Sequence, residues 1–196
     1  MALSDESDQT CAERAQDGDH AAYGELVRRY QARLYRFVLR MVGSPDEALD
    51  LAQDAFMRAW QALPEWRPDA KFHTWLFRIA SNAALDALRR RRVVEFVPIE
   101  EGFDAESAEP DPERRMEIAQ RVRGLEAALQ VLPPEQREVV LLREVEDMSY
   151  EEIGAVLGIA EGTVKSRLAR ARSALIEIEA NRDVNREADR RMRRKE

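Results

Sequence analysis

The chain has 196 residues, 44% of them hydrophobic and 35% charged, with a formal net charge of −7. That length suits one large domain or two small ones, and the acidity excludes a protein that coats nucleic acid through bulk positive charge, so any such contact must come from local basic faces. One cysteine (Cys11) and two distant histidines (His20, His73) exclude an internal disulfide and argue against a zinc centre, while no apolar run approaches the ~20 residues of a membrane span.

The start lacks a signal-peptide pattern, and the expectation is a soluble, cytoplasmic protein. Residues 1–18 are polar and read as a flexible lead-in, with Cys11 exposed and its thiol incidental. From Ala21 to Met41, Tyr23, Leu26, Val27, Tyr30, Leu34, Phe37, Val38 and Met41 recur at three and four residues and predict a helix with a broad buried stripe. Gly43 ends it, and Ser44-Pro45-Asp46-Glu47 predicts a capping box with proline at the first helical position. In the helix that follows, to about Leu63, the spacing turns Leu49, Ala52, Phe56, Ala59 and Leu63 inward. It leaves Asp46, Asp50, Gln53, Asp54 and Gln61 on an acidic, polar outer face. A solvated surface and a docking surface fit that spacing equally.

Pro64–Asp69 is a proline-bounded loop carrying Trp66. The next predicted helix, from about Ala70 to Arg92, packs Phe72, Leu76, Ile79, Ala80, Ala83 and Leu88. It also bears Lys71, His73, Trp75, Arg78, Asn82 and the run Arg89-Arg90-Arg91-Arg92. From Glu65 to Arg92 seven Lys and Arg stand against three acids, a local +4 in an acidic chain. Aromatics among cations suit unstacked bases, since a π-face holds the base while cations hold phosphate. Trp75 as plain core fits as well.

Residues 93–114 carry glutamates, aspartates and three prolines, and read as an acidic, flexible linker. Helical periodicity returns through Ile118, Val122, Leu125 and Leu129, breaks at Leu132-Pro133-Pro134, and resumes through Val139, Val140, Leu142 and Val145. Ser149 and Glu152 then form a capping box for a short helix whose Ile153, Val156 and Leu157 face one side; Gly154 admits another helix at close range. Gly158 supplies a turn, and a second helix carries Val164, Leu168, Ala171 and Leu175 inside with Lys165, Arg167, Arg170 and Arg172 around it. This is the pattern of a helix-turn-helix, whose second helix fits a DNA major groove; an ordinary helical hairpin with a solvated basic face remains open. Residues 177–196 are a basic tail, expected as a frayed helix. The fold class expected is all-α: two small helical domains, 19–92 and 115–176, joined by the acidic linker, the second containing the helix-turn-helix.

The sequence shows no glycine-rich phosphate loop, HExxH, nucleophile elbow or cysteine–histidine pair, so neither catalysis nor a cofactor nor a small-molecule substrate is expected. A stand-alone helix-turn-helix transcriptional regulator explains the second domain but leaves the basic, aromatic surface of the first without a task. A protein-interaction scaffold is the third reading.

DEALDLAQDAFMRAWQAL, then FHTWLFRIASNAALDALRRRR, then, past the acidic gap, LPPEQREVVLLREVEDMSYEEIGAVLGIAEGTVKSRLARAR resemble a sigma factor of the extracytoplasmic-function group of the sigma-70 family. The resemblance runs from about Ala21 to Ala174, and the space between Arg92 and Arg114 has no room for the middle domain of housekeeping sigma factors. It implies a non-catalytic subunit that joins core RNA polymerase, at its clamp helices and flap, and directs transcription initiation at promoters in response to stress or envelope signals. Region two would span 19–92 and region four 115–176. By matched positions, Asp46, Asp50, Gln53, Asp54 and Arg58 would meet the clamp helices. Trp66, Lys71, Trp75, Arg78, Asn82, Asp86, Arg89 and Arg90 would read and open the minus-ten element. Thr163, Lys165, Ser166, Arg167 and Arg170 would face the minus-thirty-five element. The linker would thread toward the active-site and RNA-exit channels. Such proteins are commonly held inactive by an anti-sigma factor, which the resemblance adds as an expected partner. Gly154 stands where alanine is usual, Ala160 is a poor N-cap, and Ala169 is small for a DNA-facing position.

Overall fold

The computed structural model describes residues 3–68, 71–91 and 112–193, with the backbone alone for 112, 113, 115, 117 and 183–193. Arg92 and the expected linker, up to Asp111, lie outside the described residues. All regular structure among the described residues is helical: α1 (Asp8–Gln16), α2 (His20–Val42), α3 (Pro45–Ala62), α4 (Phe72–Arg90), α5 (Pro112–Val131), α6 (Pro134–Val140), α7 (Tyr150–Leu157) and α8 (Glu161–Arg193).

The lead-in is not loose. Ser7 accepts a hydrogen bond from the Thr10 amide and starts α1, which buries Cys11, Ala12 and Ala15 against α2. Arg29 ties Asp8 at 2.7 Å, and the Tyr30 hydroxyl also donates to Asp8. Gln16 donates from Nε2 to the carbonyls of Leu63 (2.8 Å) and Trp66 (2.7 Å), fastening α1 to the loop before α4. Cys11 is therefore fully buried, its thiol pKa pushed up by desolvation, which corrects the expectation of an exposed thiol in a flexible segment. The signal was faint because α1 buries only small side chains, so no apolar stripe marks it.

α2 begins with Asp19 accepting from the Ala21 and Ala22 amides and ends at Gly43 in the left-handed region (φ 72°). Ser44 makes no side-chain cap, which corrects the predicted capping box: Glu47 instead takes the guanidinium of Arg91, folding the end of α4 onto the start of α3. Leu49 is exposed rather than inward, as are Val145, Ile118 and Leu125, and Ala48, Ala52, Ala55 and Ala59 form the buried edge of α3. Small side chains there let α3 lie close against α2 and α4.

In the second half, α6 widens into a π-turn at Leu141–Val145. α7 carries the full Ser149–Glu152 capping box, and Gly158 (φ 66°) ends it. A Cβ on Gly154 would stand 2.9 Å from the Ile159 carbonyl oxygen, so it is the turn itself, not another helix, that approaches this glycine. Gly158→Ala should cost about 1 kcal/mol, since only the left-handed backbone is strained and no atom lies near the new methyl. A urea denaturation midpoint measures it. The basic tail is helical in backbone, as α8 runs on to Arg193.

The two halves are packed together. Arg33 of α2 pairs with buried Glu146 at 2.9 Å, Lys71 with Glu152 at 2.8 Å, and Arg40 with Glu126 at 3.6 Å. Gln130 donates to the Arg40 carbonyl (2.7 Å), Arg137 to the Met41 carbonyl, and the Ser81 hydroxyl to Glu138. α7 lies against α4.

Candidate nucleic-acid interface

Two basic surfaces and one acidic one emerge from these helices. The first runs along α4. Arg78, Asn82, Asp86, Arg89 and Arg90 are exposed on one side of it. Asp86 holds Arg89 at 3.3 Å and its carbonyl accepts from Arg90 Nε at 3.1 Å, so the cations at the end of the helix are spread in place by one acid. Arg91 is turned away, donating to the Val42 carbonyl at 2.7 Å. Its cation serves the fold rather than the surface.

The two tryptophans expected to meet bases are both buried here. Trp75 is 8% exposed and tilted against Phe72, centroids 5.8 Å apart. Trp66 is 5% exposed and meets Phe72 edge-on at 6.3 Å. Phe72 also touches Tyr30 at 5.8 Å, so the four rings form one aromatic cluster under the loop. The Trp66 indole Nε1 is buried without a hydrogen-bond partner among the described residues. Beside it opens a hollow of about 180 Å³ walled by Asp8, Trp66, Lys71, Phe72 and His73, where α1 supplies a side the sequence reading did not foresee. Lys71, at its rim, is exposed but paired with Glu152. Burial holds the His73 imidazole below its ordinary pKa, against the opposing pull of Glu152.

The second basic surface is the start of α8. Lys165, Ser166 and Arg170 are exposed, Arg167 is half-buried, and Thr163 is half-buried with its carbonyl accepting from the Ser166 hydroxyl at 3.0 Å. Lys165 lies over the Tyr150 ring at 5.5 Å and near Glu161 at 3.7 Å. The Ala160 carbonyl accepts from the Thr163 and Val164 amides, so α8 starts without a capping side chain. Val164, Leu168 and Ala171 anchor the helix from beneath, which leaves the basic side chains free to project. Arg172 is drawn aside by Glu144 at 2.5 Å.

Asp46, Asp50, Gln53, Asp54 and Arg58 are all exposed on α3. Leu49 (51% exposed) and Met57 (59%) share that outer face. Both were missed as surface residues: the three-to-four spacing that turned Leu49 inward also runs through Gln53 and Met57 on the outside. Exposed apolar side chains rimmed by acids suit a protein partner better than bare solvent.

No group of three or more metal-ligating side chains comes together among the described residues, and none of their helices is long and apolar enough to cross a membrane.

The family model for sigma-70 region 2 matches residues 26–93 and that for sigma-70 region 4 matches residues 123–175. The extracytoplasmic-function RNA polymerase sigma factor SigE of Mycolicibacterium smegmatis is 41% identical over 162 residues, 81% of this chain and 63% of that protein. The RNA polymerase sigma-H factor of Pseudomonas aeruginosa is 40% identical over 181 residues, covering 88% of this chain and 94% of its own. Among solved structures, the sigma factor RpoE of Bartonella quintana, in complex with the anti-sigma factor NepR, is similar with a TM-score of 0.67. It shares 26% identity, over 81% of this chain and 96% of that one.

Proposed function

The chain belongs to the extracytoplasmic-function sigma factors of the sigma-70 family, and from that premise we propose how its surfaces divide the work of bringing core RNA polymerase to promoters. The observation that carries the reading is the helix-turn-helix: a capped α7, a left-handed glycine, and an α8 that presents Lys165, Ser166 and Arg170 from an apolar base. Its exposed side chains have the donors to reach base edges and phosphates of the minus-thirty-five element in a major groove.

The exposed side of α4, with Arg78, Asn82, Asp86, Arg89 and Arg90, lies along the minus-ten DNA, Lys71 joining it when released from Glu152. Trp66 and Trp75 support this side from within. The acidic face of α3 docks on the polymerase clamp, with Leu49 and Met57 as its apolar centre, and region four meets the flap. The chain itself is non-catalytic and acts in the cytoplasm, where an anti-sigma factor of the kind that holds the Bartonella relative is its expected regulator.

Core-dependent run-off transcription from a promoter library tests the function. Promoter-specific transcripts support it, and tight sequence-specific binding by the chain alone, undisturbed by core enzyme, would leave a stand-alone regulator instead. The docking face has its own test. Asp50→Lys with Asp54→Lys reverses two exposed charges and should shift stability by no more than about 0.5 kcal/mol. Core-polymerase capture should fall at least about tenfold. Undiminished capture by the folded double variant removes this face from the interface.

A further inference from the structure

We infer that Tyr150, the first residue of α7, is a positioning residue for the minus-thirty-five reader: its ring holds the Lys165 ammonium where it meets a base edge, and so sets the preference for one base pair. The inference rests on the promoter-reading role of α8 proposed above and names a residue that decides its specificity.

A lysine is a poor reader on its own. Its ammonium is a point charge on a flexible four-carbon stem, so it turns toward whichever phosphate or carboxylate is near. Phosphates carry no sequence information, whereas base edges do. For Lys165 to specify a base, something must hold its stem. On its own helix that something would be Glu161, one turn back and 3.7 Å away. Both side chains of that pair are more than half exposed, and an ion pair of this kind is weak and screened by salt. From the other helix of the motif comes Tyr150, whose ring centroid lies 5.5 Å from Lys165 Nζ, inside the range over which an aromatic face attracts a cation.

The ring is itself well fixed. Ser149 accepts from the Glu152 amide at 3.1 Å and donates its own amide to Glu152 at 2.8 Å, which sets the backbone where Tyr150 enters α7. The side chain is half-buried and packs against the apolar core. A second cation also lies on the ring: the Arg143 guanidinium carbon is 5.4 Å from its centroid. Arg143 is spoken for, since it donates to the carbonyl of buried Met148 at 2.7 Å. Of the two cations on Tyr150, one is locked to backbone, while the other, Lys165, is 57% exposed and has its charged end available to DNA. Arg143, Tyr150 and Lys165 all fall within residues 123–175, so the contact belongs to region four alone and goes with it to the promoter. The base that a held lysine reads best is guanine, whose O6 and N7 both accept in the major groove.

The test uses holoenzyme assembled from core polymerase and the full chain, transcribing a library randomised through the minus-thirty-five element. Wild type should favour guanine at one position, and Lys165→Ala should remove that preference. Tyr150→Leu should weaken the same preference about two- to fivefold and leave the other positions as they were. Tyr150→Phe keeps the ring and should keep the preference. In the Lys165→Ala background, Tyr150→Leu should change nothing further. Circular dichroism melts check folding, and Tyr150→Met takes the place of Tyr150→Leu where that variant does not fold. A folded non-aromatic variant with the wild-type preference overturns the inference. So does an equal loss in Tyr150→Phe, which would mean that the hydroxyl itself touches DNA, and so does a uniform loss at every position, the mark of a merely structural ring. Relaxed preference in Glu161→Gln but not in Tyr150→Leu would hand the positioning to the carboxylate. Absence of promoter-specific transcripts from wild-type holoenzyme defeats the sigma reading, whereas specific transcripts whose base preference ignores Tyr150→Leu defeat this inference alone.

Discussion

Trp75→Ala should unfold region two well before it can be judged as a loss of DNA contact. The indole is 8% exposed and tilted against Phe72, which also packs on Tyr30 and Trp66. Truncating a buried tryptophan to alanine costs about 3–5 kcal/mol, from lost transfer energy and the cavity left behind. Domains of this kind are stable by only ~5–15 kcal/mol in total, so the midpoint of thermal unfolding should drop by roughly 6–20 °C. Asn82→Ala is the control, because its side chain is exposed on the same helix and should change stability by no more than about 0.5 kcal/mol. If Trp75→Ala kept its melting point and lost only permanganate-detected promoter opening, base stacking would be the role of this residue and the aromatic cluster would be incidental.

The tryptophans show where sequence pattern and structure part. An aromatic among cations suggests base stacking, and that clue drew Trp66 and Trp75 to the surface. The competing drive is the burial of 150–250 Å² of aromatic surface, which a short loop beside α1 satisfies by folding both rings against Phe72. Elements with long apolar stripes were legible: α2 keeps its bounds to within a residue, and the turn at Gly158 stands where its glycine requires. α1 was not, since alanines and a cysteine bury without making a stripe. Leu49 misled because periodicity reports which positions are apolar, not which partner covers them.

The packing between the halves was the least legible feature. An acidic connection suggests domains at undefined spacing, yet Arg33, Arg137, Glu138 and Glu146 carry the contact. Charged residues follow no periodic rule that marks them as interface, and each reads as surface until its partner from the other half is known. Of the candidate site, the basic face of α8 and the acidic face of α3 were legible because exposed charge on an amphipathic helix is set by the helix alone. Lys71 is exposed as its place before α4 suggests, while its pairing with Glu152 depends on the fold of the whole chain.

Glu138 gives that interface a pH dependence. Burial pushes its carboxyl up from the usual range to about 8, Arg167 and Arg89 pulling it down and Glu135 adding to the rise. The unfolded chain has lost this proton by about pH 5, whereas the folded chain keeps it until near pH 8. The folded state therefore binds more protons across that window, and the contribution of Glu138 to stability declines as pH rises from about 4.5 to 8. Each pKa unit corresponds to ~1.4 kcal/mol, and relaxation around the charged form lowers the sum, so a loss of about 2–4 kcal/mol by pH 9 is expected. Glu138→Gln keeps an acceptor for Ser81 and cannot ionise. Its unfolding free energy from urea denaturation should sit close to wild type at pH 5 and above it by about 2–4 kcal/mol at pH 9. Other titrations, including the depressed His73 and the raised Glu146, are common to both proteins and cancel in the difference. Parallel pH profiles for the two proteins would mean that the carboxyl is hydrated in solution, and that the Ser81–Glu138 contact does not stay closed.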